Sequence, residues 1–247
     1  MATVNTKFGR RIFPKESNPV IVDPQNQDVK EFYRKLAPEY EARANQTCES
    51  AYFQLLVRFL SNRQRLLELG CGSSNLLYRL GNVAGVACDL SIDMLRMRTN
   101  THMGECVAAA GENLPFLDGQ FDGVFGINLL EHVSDVAKVV SECARVLGEN
   151  GLWLSVTPNG NWEYWLNLAE RWSLKIPEGP HRFLRPHELL TETNKSFDIV
   201  EFRTFLVLPL GSLRMAMFLD KVTFASALKW GFFQYVVARK RRYCSAA

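Results

Sequence analysis

No stretch of the sequence reaches the roughly 20 consecutive apolar residues that a helix needs to cross a bilayer. Residues 1–26 are polar, contain proline and lack an apolar core of the signal-peptide kind. The six cysteines form no Cys-x-x-Cys pair, and no group of histidines and cysteines has the spacing of a zinc site. We therefore expect a cytoplasmic protein with reduced cysteines, because that compartment keeps thiols reduced.

A strong excess of charge of one sign is also missing. The chain has 29 Lys and Arg residues against 26 Asp and Glu residues, and part of the excess lies in the run Arg239-Lys240-Arg241-Arg242. A net charge of +3 is typical of an ordinary protein surface and does not predict a basic groove for nucleic acid. We expect no nucleic-acid partner, and the sequence makes no prediction of the oligomeric state.

Short apolar strands alternate with helices from Arg65 onward, after two helical patterns at 29–45 and 50–60. Such alternation predicts an α/β fold with a parallel sheet covered on both faces, and ligands bind such sheets beyond the carboxyl ends of the strands. The predicted strands are Arg65–Leu69, Val83–Asp89, Glu105–Ala109, Phe121–Ile127, Gly151–Thr157, Phe197–Phe205 and Phe232–Lys240. The predicted helices between them are Asn75–Leu80, Ile92–Thr99, Val136–Leu147 and Pro186–Thr193. We expect a flexible arm at 1–27 and one domain at 28–247.

A glycine-containing turn, Gly70-Cys71-Gly72, follows the first predicted strand. Glycine leaves room where a turn is tight and a ligand approaches the backbone, and the next helix directs its free N–H groups toward that ligand. Asp89 ends the second predicted strand, where a carboxylate can accept hydrogen bonds from ribose hydroxyls. On their own, these features fit a nicotinamide dinucleotide, a methyl donor or only a tight turn.

Four elements occur together in a characteristic order. They are Glu68-x-Gly70-x-Gly72, Asp89, Leu114-Pro115-Phe116 with a following Phe121-Asp122, and the turn at 147–151. As a set they resemble the class I S-adenosylmethionine-dependent methyltransferases over about residues 30–160. The resemblance implies S-adenosyl-L-methionine as the cofactor. It also implies a Rossmann-like, doubly wound sheet of seven strands, mostly parallel with an antiparallel last strand and with helices on both faces.

The resemblance also assigns donor contacts by position. The glycine turn would pass under the methionine moiety, Asp89 would hold the ribose, and the residues just after it would flank the adenine. The loop at 111–113 would close over the adenine edge, the end of the fourth strand would lie near the sulfur, and the Tyr-x-x-Arg of the first helix would reach the methionine carboxylate. The residues so assigned are Tyr40, Arg43, Glu68, Gly70, Cys71, Gly72, Asp89, Leu90, Met94, Gly111, Glu112, Asn113, Ile127 and Asn128.

Two positions depart from the family pattern. Ser74 stands at the third motif glycine, and Ala110 stands where the family often has an aspartate for the adenine amino group. Adenine recognition then falls to Glu112 or to backbone groups. Core packing explains Leu90 and Met94 equally well, and helix capping is the alternative for Asp89.

The second half of the chain resembles the ubiquinone-biosynthesis type of O-methyltransferase and its small-molecule relatives. The similar segments are Thr157-Pro158-Asn159, the Pro-x-Gly-x-His segment that ends at His181, and Pro186-x-Glu188-Leu189. The resemblance implies a small-molecule acceptor. We predict a donor-binding core at 62–160 and cap elements on the acceptor side at 161–231.

Deprotonating a hydroxyl acceptor calls for a base with a pKa near neutral, and His132 and His181 are the candidates beyond the strand ends. The alternative for each is a structural histidine in a loop. Ubiquinone-pathway relatives can bind a divalent cation through Glu-x-x-Glu-His, but the first position here is Asn128, which leaves Glu131 and His132. Two ligands make a poor site for a hard cation, so we predict no required metal.

The segment 206–231 is apolar, and Trp162, Trp165 and Trp172 lie on a predicted cap helix. Ordinary burial is the first explanation, and a lid over a hydrophobic acceptor or contact with a membrane surface is the hypothesis.

Our leading prediction is an S-adenosylmethionine-dependent methyltransferase that acts on a small, hydrophobic molecule at oxygen. A nicotinamide-dependent oxidoreductase is one alternative, although Asn75 stands where the dinucleotide fingerprint requires glycine. A nucleic-acid methyltransferase is a second, although the chain has no Asn/Asp-Pro-Pro-aromatic element. The third is a donor-binding partner protein without catalytic activity.

Overall fold

The computed structural model describes residues 27–35, 46–81, 84–98, 105–164, 181–205 and 231–241. Several residues of the sequence predictions lie outside these ranges: Tyr40, Arg43, Trp165, Trp172, the arm at 1–26 and the apolar segment at 206–230. Their predicted roles stay predictions, as does the division of the chain into arm, core and cap.

Seven strands form one sheet in the order β3-β2-β1-β4-β5-β7-β6. Strands β1 to β5 run parallel in the pairs β3–β2, β2–β1, β1–β4 and β4–β5, whereas β7 is antiparallel to both β5 and β6. The strand bounds are β1 Arg65–Leu69, β2 Ala84–Asp89, β3 Glu105–Ala108, β4 Phe121–Ile127, β5 Leu147–Pro158, β6 Phe197–Phe205 and β7 Phe233–Lys240. The predicted sheet, with its antiparallel last strand, is confirmed.

Helices α1 to α6 accompany these strands. They are α1 at 27–35, α2 Gln46–Leu60, α3 Leu76–Arg79, α4 Ile92–Met97, α5 Val136–Val146 and α6 Pro186–Asn194. A short 3-10 helix, Gly160–Trp162, follows β5. Among the described residues, no helix is long and apolar enough to span a membrane.

The two faces of the sheet carry separate apolar cores, because side chains alternate along each strand. In β1, Leu67 belongs to the core under α5, while Leu66 belongs to the core under α2 and α3. Helix α5 begins at the cap Asp135, whose carboxylate accepts from the Lys138 N–H at 3.0 Å. The prediction placed β5 at 151–157, but it begins at Leu147, because the chain leaves α5 in extended conformation and pairs at once with Phe121.

Two motif elements of the sequence are explained by contacts away from the glycine turn. Arg145 on α5 donates to the carbonyls of Leu114 at 2.9 Å and Phe116 at 2.7 Å, which fixes the Leu-Pro-Phe element. Asp122 accepts from the Arg65 N–H at 2.9 Å and so holds the start of β1. These residues support the sheet that positions the site.

The basic run near the C-terminus is partly structural. Lys240 donates to the carbonyl of Leu147, and the Arg241 guanidinium donates to the carbonyls of Asn194 and Phe197. These two side chains are therefore bound to the fold and do not belong to a solvated tail. Both bind backbone carbonyls, at the end of α6 in one case and the start of β5 in the other.

Candidate active site

The turn after β1 has a backbone that only glycine adopts without strain. Gly70 and Gly72 have φ angles of +67° and +51°. A Cβ at Gly70 would lie 2.7 Å from Leu129 Cδ1, so the turn after β4 packs directly on this glycine. The N–H groups of Gly70 and Cys71 both donate to the carbonyl of Cys88 on β2, at 2.8 and 3.1 Å.

We expect Gly70→Ala to lower the free energy of unfolding by about 2–4 kcal/mol, since a left-handed backbone costs about 1–2 kcal/mol and overpacking adds a similar amount. Gly81→Ala is a matched control, because Gly81 has a φ of +81° but no atom within 4 Å of its added Cβ. Urea denaturation of both variants measures the difference. Equal losses would show that Leu129 does not hold this turn in place.

Asp89 lies against the glycine turn from the neighbouring strand. Its carboxylate accepts from the Gly72 N–H at 2.7 Å and from the Ser91 N–H at 2.8 Å. Burial raises the pKa of this carboxyl, and the backbone hydrogen bonds oppose that rise. Helix α4 is capped by the Ser91 hydroxyl, which accepts from Met94 N at 3.4 Å, so Asp89 is not the helix cap.

Glu68 is buried beneath the same turn, with 2% of its surface exposed. One carboxylate oxygen accepts from the Ser74 hydroxyl at 3.0 Å, and that hydroxyl accepts from Leu76 N at 3.1 Å. Serine at the third motif position thus supports the start of α3. The donor contact predicted for Glu68 stays a prediction, whereas its tie to Ser74 was missed by sequence reasoning.

A buried ion pair completes this support. Arg98, just after α4, places its guanidinium nitrogen 3.6 Å from the second Glu68 carboxylate oxygen, and both side chains are 3% exposed. Burial raises the pKa of Glu68 to about 7, and the positive charge of Arg98 opposes the rise. No residue pattern in the sequence pointed to this pair.

The loop at 111–113 packs beside α5. Glu112 accepts from the N–H and hydroxyl of Ser134 at 3.1 and 3.0 Å, so its carboxylate joins this loop to the segment before α5. Asn113 is exposed. Met94 is buried, and its Cε lies 3.2 Å from where a Cβ on Gly72 would stand, which places Met94 against the turn.

The turn after β4 connects the glycine turn to the histidines. Asn128 follows Ile127 with a φ of +50°, and its N–H donates to the carbonyl of Val156 at 2.8 Å. Its side-chain Nδ2 donates to the hydroxyl of Tyr52 at 3.4 Å. Its Oδ1 is buried and receives no hydrogen bond from the described residues. This free acceptor is suited to a polar N–H or O–H of a bound molecule.

Glu131 is engaged within the protein. It is 1% exposed and accepts from the Thr157 hydroxyl at 2.8 Å, while its carbonyl accepts from the Arg182 N–H at 2.7 Å. Within the described ranges, no three His, Cys, Asp or Glu side chains gather as a metal-binding group. The absence of a required metal stays a prediction.

The two candidate bases lie next to each other. His132 is 7% exposed, and its ring centroid is 6.3 Å from that of His181. The hydroxyl of Tyr33, on α1, lies 3.0 Å from His132 Nε2. The sequence prediction did not include Tyr33, because it belongs to no motif and lies 99 positions from His132 in the chain.

The chain matches the family described as "Methyltransferase domain" over residues 67–155. It is 29% identical over 155 residues to the ubiquinone biosynthesis O-methyltransferase of Bartonella tribocorum, covering 53% of this chain and 59% of that protein. The same enzyme of Bartonella bacilliformis is 30% identical, with 54% and 61% covered. The chain thus spans about three fifths of the length of these curated relatives.

Solved structures share the fold. A Thermotoga maritima S-adenosylmethionine-dependent methyltransferase, described as a possible histamine N-methyltransferase, has a TM-score of 0.67 at 18% identity, covering 86% of this chain and all of that one (100%). The cyclase SpnF has a TM-score of 0.64 at 16% identity, covering 90% and 97%. At such identities the likeness shows the fold alone.

The matched domain contains the glycine turn, Asp89 and Asn128. The curated relatives are methyltransferases by name, and a solved S-adenosylmethionine-dependent methyltransferase shares the fold. The nicotinamide alternative is thereby set aside. Residues 67–155 match a methyltransferase domain, and this match together with the named relatives supports a class I S-adenosylmethionine-dependent methyltransferase that uses S-adenosyl-L-methionine.

Proposed function

We propose that this protein transfers a methyl group from S-adenosylmethionine to an oxygen of a small, hydrophobic molecule. The observation that carries the proposal is the Asp89 carboxylate held 2.7 Å from the Gly72 N–H, where β1 and β2 end side by side. A carboxylate fixed there by backbone N–H groups has further lone pairs for two ribose hydroxyls. The class of acceptor molecule and the choice of oxygen as the methylated atom are parts of the same proposal.

The residues present suit a sulfonium nucleoside. The bare backbone at Gly70 and Gly72 allows close approach, and the unpartnered Asn128 Oδ1 offers an acceptor for the donor's ammonium group. We propose that the adenine contacts the loop at 111–113 and Leu90. Met94 packs against the glycine turn beside it. When bound, the cofactor supplies an electrophilic methyl group on a positively charged sulfur.

Methyl transfer is an in-line displacement, so this chain has to hold the acceptor oxygen collinear with the carbon–sulfur bond. Positioning of this kind supplies several kcal/mol of catalysis. The turn after β4 touches the glycine turn through Leu129 and carries His132 three residues later. We propose that His132 receives the acceptor's proton and that His181 packs beside it.

The proposed oxygen target is supported by the relatives, which are O-methyltransferases by name, and by the two adjacent histidines. The proposed hydrophobic acceptor is supported by Phe183, whose ring centroid is 4.5 Å from that of His181. We propose a small-molecule partner, no nucleic-acid partner and a cytoplasmic location. Contact of the cap with a membrane surface stays a hypothesis.

We expect Asp89→Asn to raise the donor Kd by about 100-fold, because hydrogen bonds to a charged group are worth about 1.5–3 kcal/mol. The amide would also direct its NH₂ toward one of the two backbone N–H groups. Calorimetric titration with S-adenosylmethionine measures the change. Asp93→Asn is the control, since Asp93 lies on α4 in a surface ion pair with Arg96. Equal donor affinities of the two variants would show that Asp89 does not bind the donor.

Incubation with methyl-labelled donor and a host metabolite extract tests the whole proposal. Labelled product whose new methyl group is on oxygen is the expected result. Product labelled on nitrogen would overturn the oxygen target alone. Donor binding without any labelled product would favour the remaining alternative, a donor-binding protein that does not transfer methyl groups.

A further inference from the structure

We propose that Tyr33 relays the acceptor's proton to His132, which makes helix α1 part of the active site. This inference rests on the proposed methyl transfer to oxygen. It assigns a role to a residue outside the matched domain at 67–155.

The geometry of the pair is that of a hydrogen-bonded relay. Tyr33 Oη lies 3.0 Å from His132 Nε2, although the two residues are 99 positions apart in the chain. The ring centroids are 5.5 Å apart, and the planes meet at 84°. When Nδ1 carries the ring proton, the Nε2 lone pair is occupied by the Tyr33 hydroxyl, so a proton reaches Nε2 through that hydroxyl.

Both partners are held in place by the surrounding chain. The His132 N–H donates to the carbonyl of Leu129 at 2.9 Å, which closes the turn after β4. Phe32 and Tyr33 meet edge to face at 5.4 Å on one side, and His181 follows His132 at 6.3 Å on the other. Rings from residues 32–33, 132 and 181–183 thus form one continuous row. The row fixes both rings of the relay.

The proposed step balances as follows. The acceptor oxygen attacks the methyl carbon while its proton moves to Tyr33 Oη, and the proton of Tyr33 moves to His132 Nε2. A carbon–oxygen bond forms, the carbon–sulfur bond breaks, and its electron pair remains on sulfur as a neutral thioether. His132 ends as the imidazolium, and Tyr33 ends as a neutral phenol. The proton therefore ends on an imidazole, which is a stronger base than a phenol oxygen that already carries its proton.

Tyr33→Phe distinguishes a role in proton transfer from a role in packing, because it removes the hydroxyl and keeps the ring in the row. We expect kcat to fall by about 10²-fold or more, with the donor Kd unchanged within twofold. The double variant Tyr33→Phe/His132→Gln should be no slower than the slower single variant, because both act on one proton path. Tyr78→Phe is the matched control, since Tyr78 is 48% exposed on α3.

A second measurement needs no acceptor. Ring-nitrogen NMR of the ¹⁵N-histidine protein at pH 8 should show His132 with a protonated Nδ1 and a hydrogen-bonded Nε2, and Tyr33→Phe should shift the Nε2 resonance. The relay would be overturned if the Nε2 resonance of His132 did not shift in Tyr33→Phe, or if this variant transferred methyl groups at the wild-type rate. A wild-type protein that transfers no methyl group at all would instead overturn the proposed function.

Discussion

His132→Gln is expected to lower kcat by a factor of about 10² to 10⁴, the range over which a positioned acid–base group contributes. Glutamine keeps a polar side chain beside Tyr33 but cannot take up a proton at neutral pH. The donor site, built on the glycine turn and Asp89, should keep its affinity. Single-turnover rates with labelled donor, on the acceptor identified from the extract, measure the first effect, and calorimetry measures the second.

Two variants serve as comparisons for this prediction. His187→Gln changes an exposed histidine on α6 and should leave the rate unchanged. His181→Gln should reduce the rate less than His132→Gln, since in our proposal it packs beside the base. A His132→Gln enzyme with more than a tenth of the wild-type rate would show that His132 is not the base.

Arg98→Met is expected to lower the free energy of unfolding by about 1–1.5 kcal/mol more at pH 8 than at pH 5, because the buried Glu68 loses its counter-charge and has to stay protonated one pH unit above its present pKa. At pH 5 the loss should be small. Burial holds the pKa of Glu68 at about 7, against 4.5 for the free side chain, so in the folded protein the group is largely protonated at pH 5. Among the described residues, Arg98 Nε and NH1 have no hydrogen-bond partner, so methionine removes no satisfied bond there.

The direction of the pH dependence follows from linkage. A carboxyl whose pKa is raised on folding takes up a proton, so its contribution makes the folded state less stable as pH rises from about 4.5 to 7. Without Arg98 the pKa of Glu68 rises further, so the pH range over which the stability falls extends to higher pH. Urea denaturation at pH 5, 7 and 8 measures the profile of each protein.

The surface variant Arg96→Met is the control for this experiment. Arg96 is 71% exposed and pairs with Asp93, so its loss should change the free energy of unfolding by about 0.5 kcal/mol or less at each pH. Glu68→Gln combined with Arg98→Met should recover most of the stability at pH 8. A loss for Arg98→Met that is equal at pH 5 and pH 8 would show that its cause is not the charge of Glu68.

The sequence predicted most of the sheet because strand and helix patterns are local. The bounds of β1, β4 and β6 agree with the prediction, since apolar side chains recur within each short segment. The prediction missed the start of β5 because Leu147 fits the apolar pattern of the predicted helix Val136–Leu147. Only pairing with Phe121, 26 positions earlier, shows that the chain is already extended there.

By itself, the sequence determined the alternation of strands and helices, the glycine turn and the carboxylate that ends β2. Each depends on neighbouring residues, whose spacing sets backbone conformation and burial. Only the tertiary structure decided that Arg98 pairs with Glu68 and that Tyr33 meets His132. Those side chains are 30 and 99 positions apart, and no local pattern encodes which loops the packed sheet brings together.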